Sequence, residues 1–207
     1  MSLLFFLDLT GTFFFAVSGA LVALRKNMDL FGVIVLGCVT AMGGGTLREI
    51  LLGQFPPFVF RQDLYLYVAI IGAMLTYLFV DYYLRVQSIV LLADALGLGT
   101  FVSIGVTKAL EANITPIGAV VLGTISAIAG GMLRDVLAGE IPYVLTRDFY
   151  AMTCILGGIV YLFLSGFQMP QKYIIALVTT FIVVLRIFAI RYNWKLPRKK
   201  LKKLRGT

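Results

Sequence analysis

Long apolar runs separated by short polar stretches set the pattern of this 207-residue chain. Seven runs have the length that an α-helix of about twenty residues needs to cross a hydrocarbon core roughly 30 Å thick. We therefore predict an all-α integral membrane protein with seven transmembrane helices. The predicted spans are Leu3–Leu24, Phe31–Leu52, Leu64–Leu84, Ile89–Leu110, Ile114–Ala138, Phe149–Gly166 and Ile174–Ile190.

An internal repeat relates the first three predicted spans to the next three. Adding 86 to a residue number in the first copy gives its counterpart in the second, so Asp8 matches Asp94 and Arg48 matches Arg134. Because each copy holds an odd number of spans, the second copy is predicted to be inverted in the membrane. The predicted units are residues 1–85, residues 86–169, a seventh helix in 170–191 and a tail in 192–207.

A glycine-rich signature, followed by an arginine and a carboxylate, occurs once in each copy. It reads GGGTLREILLGQFP from residue 43 and AGGMLRDVLAGEIP from residue 129. Glycine weakens a helix by about 1 kcal/mol relative to alanine, and arginine near the bilayer centre costs about 2.5 to 3.5 kcal/mol. Two such costly features, each present twice in apolar helices, indicate a functional site.

The signature predicts a pathway between the two repeats. We expect the glycines to open helices two and five and the arginines to border the resulting watery cavity. The candidate pore or gating residues are Gly43, Gly44, Gly45, Gly130, Gly131, Arg48, Arg134 and Lys108. Glu49 and Asp135 point about 100° away from the preceding arginines and are expected to pair elsewhere. In the alternative, the charged residues are buried interhelical ties and the glycines serve close helix packing.

Three further charged residues lie near the ends of predicted spans. Asp8 and Asp94 are near the starts of the first and fourth spans, which favours helix capping over contact with an ion. Lys108 is near the end of the fourth span. Its side chain is expected either to snorkel to the interface or to reach into an outer vestibule.

The net charge of +8 comes from the C-terminal tail, which carries eight bases and no acid from Arg191 onward. Such a cluster after an apolar run is typical of a cytoplasmic segment that binds anionic lipid headgroups, and we expect no nucleic-acid partner. Seven crossings then place the amino terminus outside the cell membrane. The remaining loop bases concentrate on the cytoplasmic side, as the positive-inside rule requires.

The absence of histidine and the positions of the cysteines argue against several kinds of catalytic and metal-binding site. The chain has no histidine, and its two cysteines lie far apart in apolar runs. Histidine-based catalysis and cysteine–histidine metal sites therefore lack their residues. We expect no enzyme, no resident metal and no cofactor.

The doubled signature, GGG-x-L-R-[DE] in the second span and GG-x-L-R-D in the fifth, resembles the prokaryotic members of the trimeric intracellular cation (TRIC) channel family. The resemblance implies a homotrimer in which each subunit has its own pore for monovalent cations, chiefly potassium. It also implies kinks in helices two and five at the glycines, with Arg48 and Arg134 on the pore side. Ala129 replaces one glycine of the second copy, so a less pronounced kink is expected there.

Two function classes remain open. Related bacterial sequences are also grouped under a glycine-transporter label, and an inverted repeat suits a secondary transporter of a small amino acid such as glycine as well as a channel. A structural or lipid-scrambling role is a weaker third interpretation. Positive rings usually favour anions, so a cation pathway requires backbone carbonyls at the breaks, or arginines that are paired and act as gate elements.

Overall fold

The computed structural model describes residues 3–79, 86–146, 149–167, 169–192 and 194. The helices are α1 (Leu3–Arg25), α2 (Leu30–Leu51), α3 (Asp63–Phe79), α4 (Val86–Glu111), α5 (Pro116–Leu137), α6 (Tyr143–Thr146), α7 (Tyr150–Ser165) and α8 (Gln171–Arg191), with a 3-10 turn at Phe58–Phe60. The bases from Lys195 onward, the end of the third predicted span and Arg147, which is the repeat counterpart of Arg61, lie outside the described residues.

Helices α1, α2, α4, α5 and α8 are long and apolar enough to cross a membrane. Helices α3 and α7 are apolar but shorter, with 17 and 16 residues, and they occupy the third and sixth predicted spans. The prediction of an all-helical membrane fold is confirmed. The count of seven crossings stays a prediction.

Duplicated local signals determine where α2 and α5 begin. Asp29 precedes α2, and its carboxylate accepts a hydrogen bond from the Gly32 N–H at 2.7 Å. Thr115 precedes α5, and its hydroxyl accepts one from the Gly118 N–H at 3.3 Å. Both contacts satisfy a donor that the first turn of a helix leaves unpaired. These capping residues are 86 positions apart, so the repeat extends to the helix ends.

The same offset relates the residues with left-handed backbone. Asn27 and Asn113 have φ values of 54° and 57° before α2 and α5, and Gly53 and Gly139 have φ values of 69° and 68° after them. Asparagine and glycine are the residues that adopt this conformation most readily. Each repeat therefore contains the same helix, enclosed by the same two turns.

Helices α1 and α4 cross through reciprocal contacts. A Cβ at Gly11 would lie 3.0 Å from the ring of Phe101, and a Cβ at Gly97 would lie 2.7 Å from the ring of Phe15. The two rings stack with centroids 5.3 Å apart. Exchanging each residue for its repeat counterpart leaves these contacts unchanged, which is the mark of a twofold relation. The contacts run in opposite directions along the two helices, as an inverted repeat requires.

Helices α2 and α5 cross at the glycine signature. A Cβ at Gly44 would clash with the backbone carbonyl of Ser126, and a Cβ at Gly130 would clash with the carbonyl of Thr40. Both helices run without interruption through these glycines. The expected opening of the backbone is therefore wrong, and the alternative of close packing through small residues describes this crossing. The expected kinks stay a prediction.

The remaining helices surround these two crossings. Helix α3 packs against α1 and α2, and α7 packs in the equivalent way against α4 and α5. Helix α8 has no repeat counterpart and packs against α4 and α7. The interior of the bundle is therefore formed by α1, α2, α4 and α5, which bear the charged residues of the signatures and their partners.

Ion pairs show which loops share an end of the bundle. Glu140, which follows α5, lies 3.2 Å from Arg25 and 3.0 Å from Lys26, which follow α1. Arg61 and Lys108 instead meet at Glu49, near the opposite end of α2. Arg25 and Lys26 therefore lie at one end of the bundle, and Arg61 and Lys108 lie at the other.

Candidate functional site

The second arginine centre consists of Arg134, Asp94, Asp135 and Ser18. The guanidinium of Arg134 on α5 is fully buried, and its Nη1 lies 2.7 Å from Oδ1 of Asp94 on α4. Its Nε donates to Oδ1 of Asp135 at 2.8 Å, and Nη1 also donates to the hydroxyl of Ser18 on α1. Three helices of the bundle interior therefore meet at one charged side chain.

The pairing of Arg134 with its neighbour Asp135 corrects an expectation. The two Cβ atoms point in different directions, but the long arginine side chain folds back far enough to reach the adjacent carboxylate. The backbone N–H of Tyr143 donates to Oδ2 of Asp135 at 2.8 Å and holds the carboxylate in place. The loop after α5 therefore contributes to the geometry of this centre.

The first arginine centre consists of Arg48, Asp8 and Tyr65. Arg48 on α2 is fully buried, and its Nη2 lies 3.6 Å from Oδ2 of Asp8 on α1. The same carboxylate oxygen accepts a hydrogen bond of 3.2 Å from the hydroxyl of Tyr65. Within the described part of the chain, none of the three guanidinium nitrogens of Arg48 has a hydrogen-bond partner. The first centre is thus much less completely paired than the second.

Glu49 belongs to a separate charged group at the end of α2. It accepts hydrogen bonds from the backbone N–H of Phe58 at 2.6 Å and from Arg61 at 2.9 Å, and Lys108 lies 3.3 Å away. The prediction that Glu49 pairs with a charge other than Arg48 is confirmed. Its repeat counterpart Asp135, which is one methylene shorter, pairs with its own arginine instead.

A polar cavity of about 420 Å³ opens beside Glu49. Asp8, Glu49, Arg61, Tyr65 and Lys108 are among the residues that line it. Of the two predictions for Lys108, the structure agrees with the vestibule, since its partly buried ammonium group points to Glu49 and into this cavity. The cavity reaches Asp8 of the first centre but not the guanidinium of Arg48.

Asp8 and Asp94 are not helix caps. Asp8 is the sixth residue of α1, which begins at Leu3 as predicted, and Asp94 is the ninth of α4, which begins three residues before the predicted span. A cap must lie next to the first turn, where backbone N–H groups are unpaired. Both carboxylates are buried, and each faces the arginine on the signature helix of its own repeat.

Neither guanidinium borders water in this conformation, because the side chains of Arg48 and Arg134 are both 0% exposed. The expectation that the arginines line a watery cavity is therefore wrong for the conformation seen here. The glycines beside them pack closely, since a Cβ at Gly45 would lie 2.8 Å from the ring of Phe58 and one at Gly131 would lie 2.8 Å from the Tyr150 hydroxyl.

Several residues of the site escaped the sequence patterns. Tyr65 and Ser18 contact the two centres without belonging to the signature. Arg186 of α8 is buried, and its guanidinium lies 4.6 Å from the ring centre of Tyr150. The repeat offset does not indicate these residues, because the counterparts of Ser18 and Tyr65 are Ile104 and Ala151.

These features define a multi-pass helical membrane protein built from an inverted repeat with a charged interior. A sequence model of the family described as Glycine transporter matches residues 5–81 and again residues 91–166. The two matches begin 86 residues apart, as the two copies do. The chain belongs to this family.

Relatives from bacteria extend the match over nearly the whole chain. The UPF0126 inner membrane protein YadS of Escherichia coli K12 is 43% identical over 197 residues, which are 94% of this chain and 95% of the relative. The UPF0126 membrane protein YvgT of Bacillus subtilis is 32% identical over 95% of this chain and 96% of its own length. Neither description assigns an activity.

Solved structures of similar proteins are TRIC channels. One chain, from a structural study of conductance through TRIC cation channels, is 38% identical with a TM-score of 0.87, covering 97% of this chain and 99% of that one. The TRIC trimeric intracellular cation channel orthologue from Rhodobacter sphaeroides is 32% identical with a TM-score of 0.89, covering 94% and 100%. The predicted resemblance to the prokaryotic TRIC family is confirmed.

Proposed function

We propose that the chain is a monovalent cation channel, permeable to potassium, with a pore through each subunit between the two repeats. The similarity to TRIC cation channels over almost the whole length of both chains supports this function. The same relatives, one of which is described as trimeric, support assembly as a homotrimer. In this proposal each chain has its own pore, and the trimer holds three of them.

The observation that carries the proposal is the order of charged groups inside one subunit. Along α1, Asp8 contacts the first centre and Ser18 contacts the second. Along α4, Asp94 contacts the second centre and Lys108 lies beside the polar cavity next to the first. Buried polar groups of both repeats thus follow the long axis of the bundle, as expected for an ion pathway within the subunit.

Pairing of Arg134 answers the main objection to cation conduction at the second centre. An unpaired ring of arginines favours anions. Here Arg134 contacts the two carboxylates of Asp94 and Asp135, so its positive charge is neutralised within the centre. A permeating cation would meet these carboxylate oxygens, which are the ligands that hard cations prefer.

The buried arginines describe a closed state in this proposal. Opening requires water to reach the two guanidinium groups, so Arg48 and Arg134 act as gate elements. Lys108 shares Glu49 with Arg61 at the mouth of the cavity and competes there with entering cations. Gly43, Gly44 and Gly130 keep α2 and α5 in close contact beside the path, and Gly45 and Gly131 let Phe58 and Tyr150 pack beside the two arginines.

Orientation in the prokaryotic plasma membrane follows from the distribution of bases. We propose seven crossings, an outer amino terminus and a cytoplasmic basic tail that binds anionic lipid headgroups. The grouping of Glu140 with Arg25 and Lys26, away from Arg61 and Lys108, supports two distinct faces. Accessibility of single cysteines introduced into these loops to an impermeant thiol reagent tests the orientation.

Recordings from purified protein in a planar bilayer test the channel function. Unitary currents whose reversal potential follows an imposed potassium gradient are expected. A reversal potential that follows the chloride gradient would contradict cation selectivity.

A secondary transporter of glycine is the second candidate, and the description of the matching family favours it. It predicts saturable uptake of labelled glycine into proteoliposomes without unitary currents. Uptake that depends on a proton or sodium gradient, in a preparation that passes no potassium current, would replace the channel proposal.

A further inference from the structure

A pair of stacked aromatic rings separates the two charged centres. Phe15 of α1 and Phe101 of α4 are repeat counterparts, and both are almost completely buried. Their rings lie 21° from parallel with centroids 5.3 Å apart. Each ring packs over a glycine of the opposite helix, Gly97 for Phe15 and Gly11 for Phe101. The pair therefore lies where α1 and α4 cross, on the twofold axis of the repeat.

The position of Phe15 along α1 shows what the pair separates. Asp8, at the first centre, precedes Phe15 by seven residues, or about 10 Å of helix. Ser18, which accepts a hydrogen bond from Arg134 of the second centre, follows Phe15 by about one turn. Helix α1 thus contacts one arginine centre on each side of Phe15.

Helix α4 shows the same order in reverse. Asp94, at the second centre, precedes Phe101 by seven residues, and Lys108 at the polar cavity follows it by seven. The guanidinium of Arg48 lies 6.0 Å from the ring centre of Phe101, so the aromatic pair lies directly beside the first centre. No step of the pathway proposed above assigns a role to these rings.

We infer that Phe15 and Phe101 form a hydrophobic gate between the two charged centres. Stacked apolar rings exclude water, and a dry constriction blocks ions even where the charged groups on either side would accept them. Conduction requires the rings to part, so that water joins the two centres. The inference rests on the proposed channel function and adds the residues that close the pore.

The glycines explain how the rings can move. Gly11 and Gly97 present only backbone to the facing ring, so no side chain at these two positions blocks the ring on the side of the opposite helix. Rotation of one ring away from the other then displaces few neighbouring atoms on the opposite helix. A larger side chain at either glycine would wedge the rings in place or displace them.

Potassium efflux from proteoliposomes without an applied voltage tests the gate. F15A and F101A are expected to raise the efflux roughly tenfold over the wild type, the factor that corresponds to about 1.4 kcal/mol of barrier. F15L and F101L retain an apolar side chain and are expected to raise it less. F163A is the matched control, because Phe163 belongs to another aromatic pair with Phe167 but is 66% exposed on α7.

The outcomes distinguish this inference from the channel proposal. Wild-type potassium currents together with unchanged efflux in the four gate variants would overturn the gate and leave the channel intact. Absence of potassium currents and efflux from the wild type and all variants, with saturable glycine uptake, would overturn both. Thermal unfolding of each variant in detergent is measured in parallel. If F15A and F101A do not fold, the leucine variants decide, and efflux equal to that of F163A then counts against the gate.

Discussion

The second centre surrounds Arg134 with two carboxylates and a hydroxyl, whereas the first leaves Arg48 with one carboxylate at 3.6 Å. Both guanidinium groups are fully buried. A buried charge is stabilised only when its hydrogen bonds are made, so the two centres differ in energy although their signatures match. The second centre therefore has the more complete set of partners for its guanidinium group.

The difference arises from the carboxylate that follows each arginine. Asp135 folds toward Arg134 and is held by the Tyr143 N–H, whereas Glu49 turns away to Arg61 and Lys108. The inverted repeat therefore places similar residues at both ends of the proposed pathway, but the arginine at each end is paired to a different degree. We expect the end near Arg48 to open more easily.

Removal of Arg134 should cause the largest loss of folding stability. R134A leaves Asp94 and Asp135 buried without their cation, and losing one partner of a buried ion pair costs about 3 to 5 kcal/mol. Thermal unfolding of the purified protein in detergent measures the loss. Adding D94N to R134A should restore part of the stability, because it removes one of the stranded charges. Unfolding of R134A at the wild-type temperature would show that the centre is not a tie.

Alanine at the crossing of α2 and α5 should have the next largest effect. G44A and G130A each force a methyl group into a backbone carbonyl of the other helix, and overpacking of this kind costs about 1 to 3 kcal/mol. Because the two contacts are repeat counterparts, the losses in thermal stability should be similar. T46A, on the same helix as Gly44, is the control and should change stability by less than about 0.5 kcal/mol. Unequal losses in the two glycine variants would contradict the twofold relation at this crossing.

R48A should destabilise the protein by only about 1 kcal/mol. The variant loses a weak ion pair, but it also removes buried N–H donors that have no hydrogen-bond partner among the described residues. Its main effect should be on gating, seen as a changed open probability in bilayer recordings. R48K keeps the charge and serves as the control. A loss of stability as large as that of R134A would refute the difference between the two centres.

The smallest change in folding stability is expected when the ion pairs of Glu140 are removed. Hydrogen bonding to Lys26 holds the pKa of the Glu140 carboxyl below its ordinary value. A lowered pKa stabilises the folded state above the ordinary pKa, and this contribution is lost as the pH falls through the lowered value. E140Q should cost less than about 1 kcal/mol at neutral pH and remove this part of the acid sensitivity. Unfolding curves recorded at neutral and acidic pH measure both effects, and an unchanged acid response in E140Q would contradict this assignment.

Much of the fold could be predicted from the chain alone. Apolar runs located the helices, and the constant offset of 86 revealed the repeat that the reciprocal contacts of Gly44 and Gly130 confirm. The two signature arginines, Arg48 and Arg134, were also singled out and lie in the bundle interior, whereas Asp8 and Asp94 were expected as helix caps and are buried partners instead. Their partners were not evident, because ion pairs between helices depend on packing distances that no local pattern contains.

The sequence by itself determined an inverted helical repeat with one costly arginine in each copy, because apolar length and residue spacing are properties of the chain. Only the tertiary structure decided that the glycines pack and do not break their helices, since this depends on the carbonyl groups of Thr40 and Ser126 across the crossing. It also decided that Asp135 pairs with its neighbour while Glu49 does not. The partner of each carboxylate depends on which charged groups and N–H donors the folded chain brings within hydrogen-bonding distance.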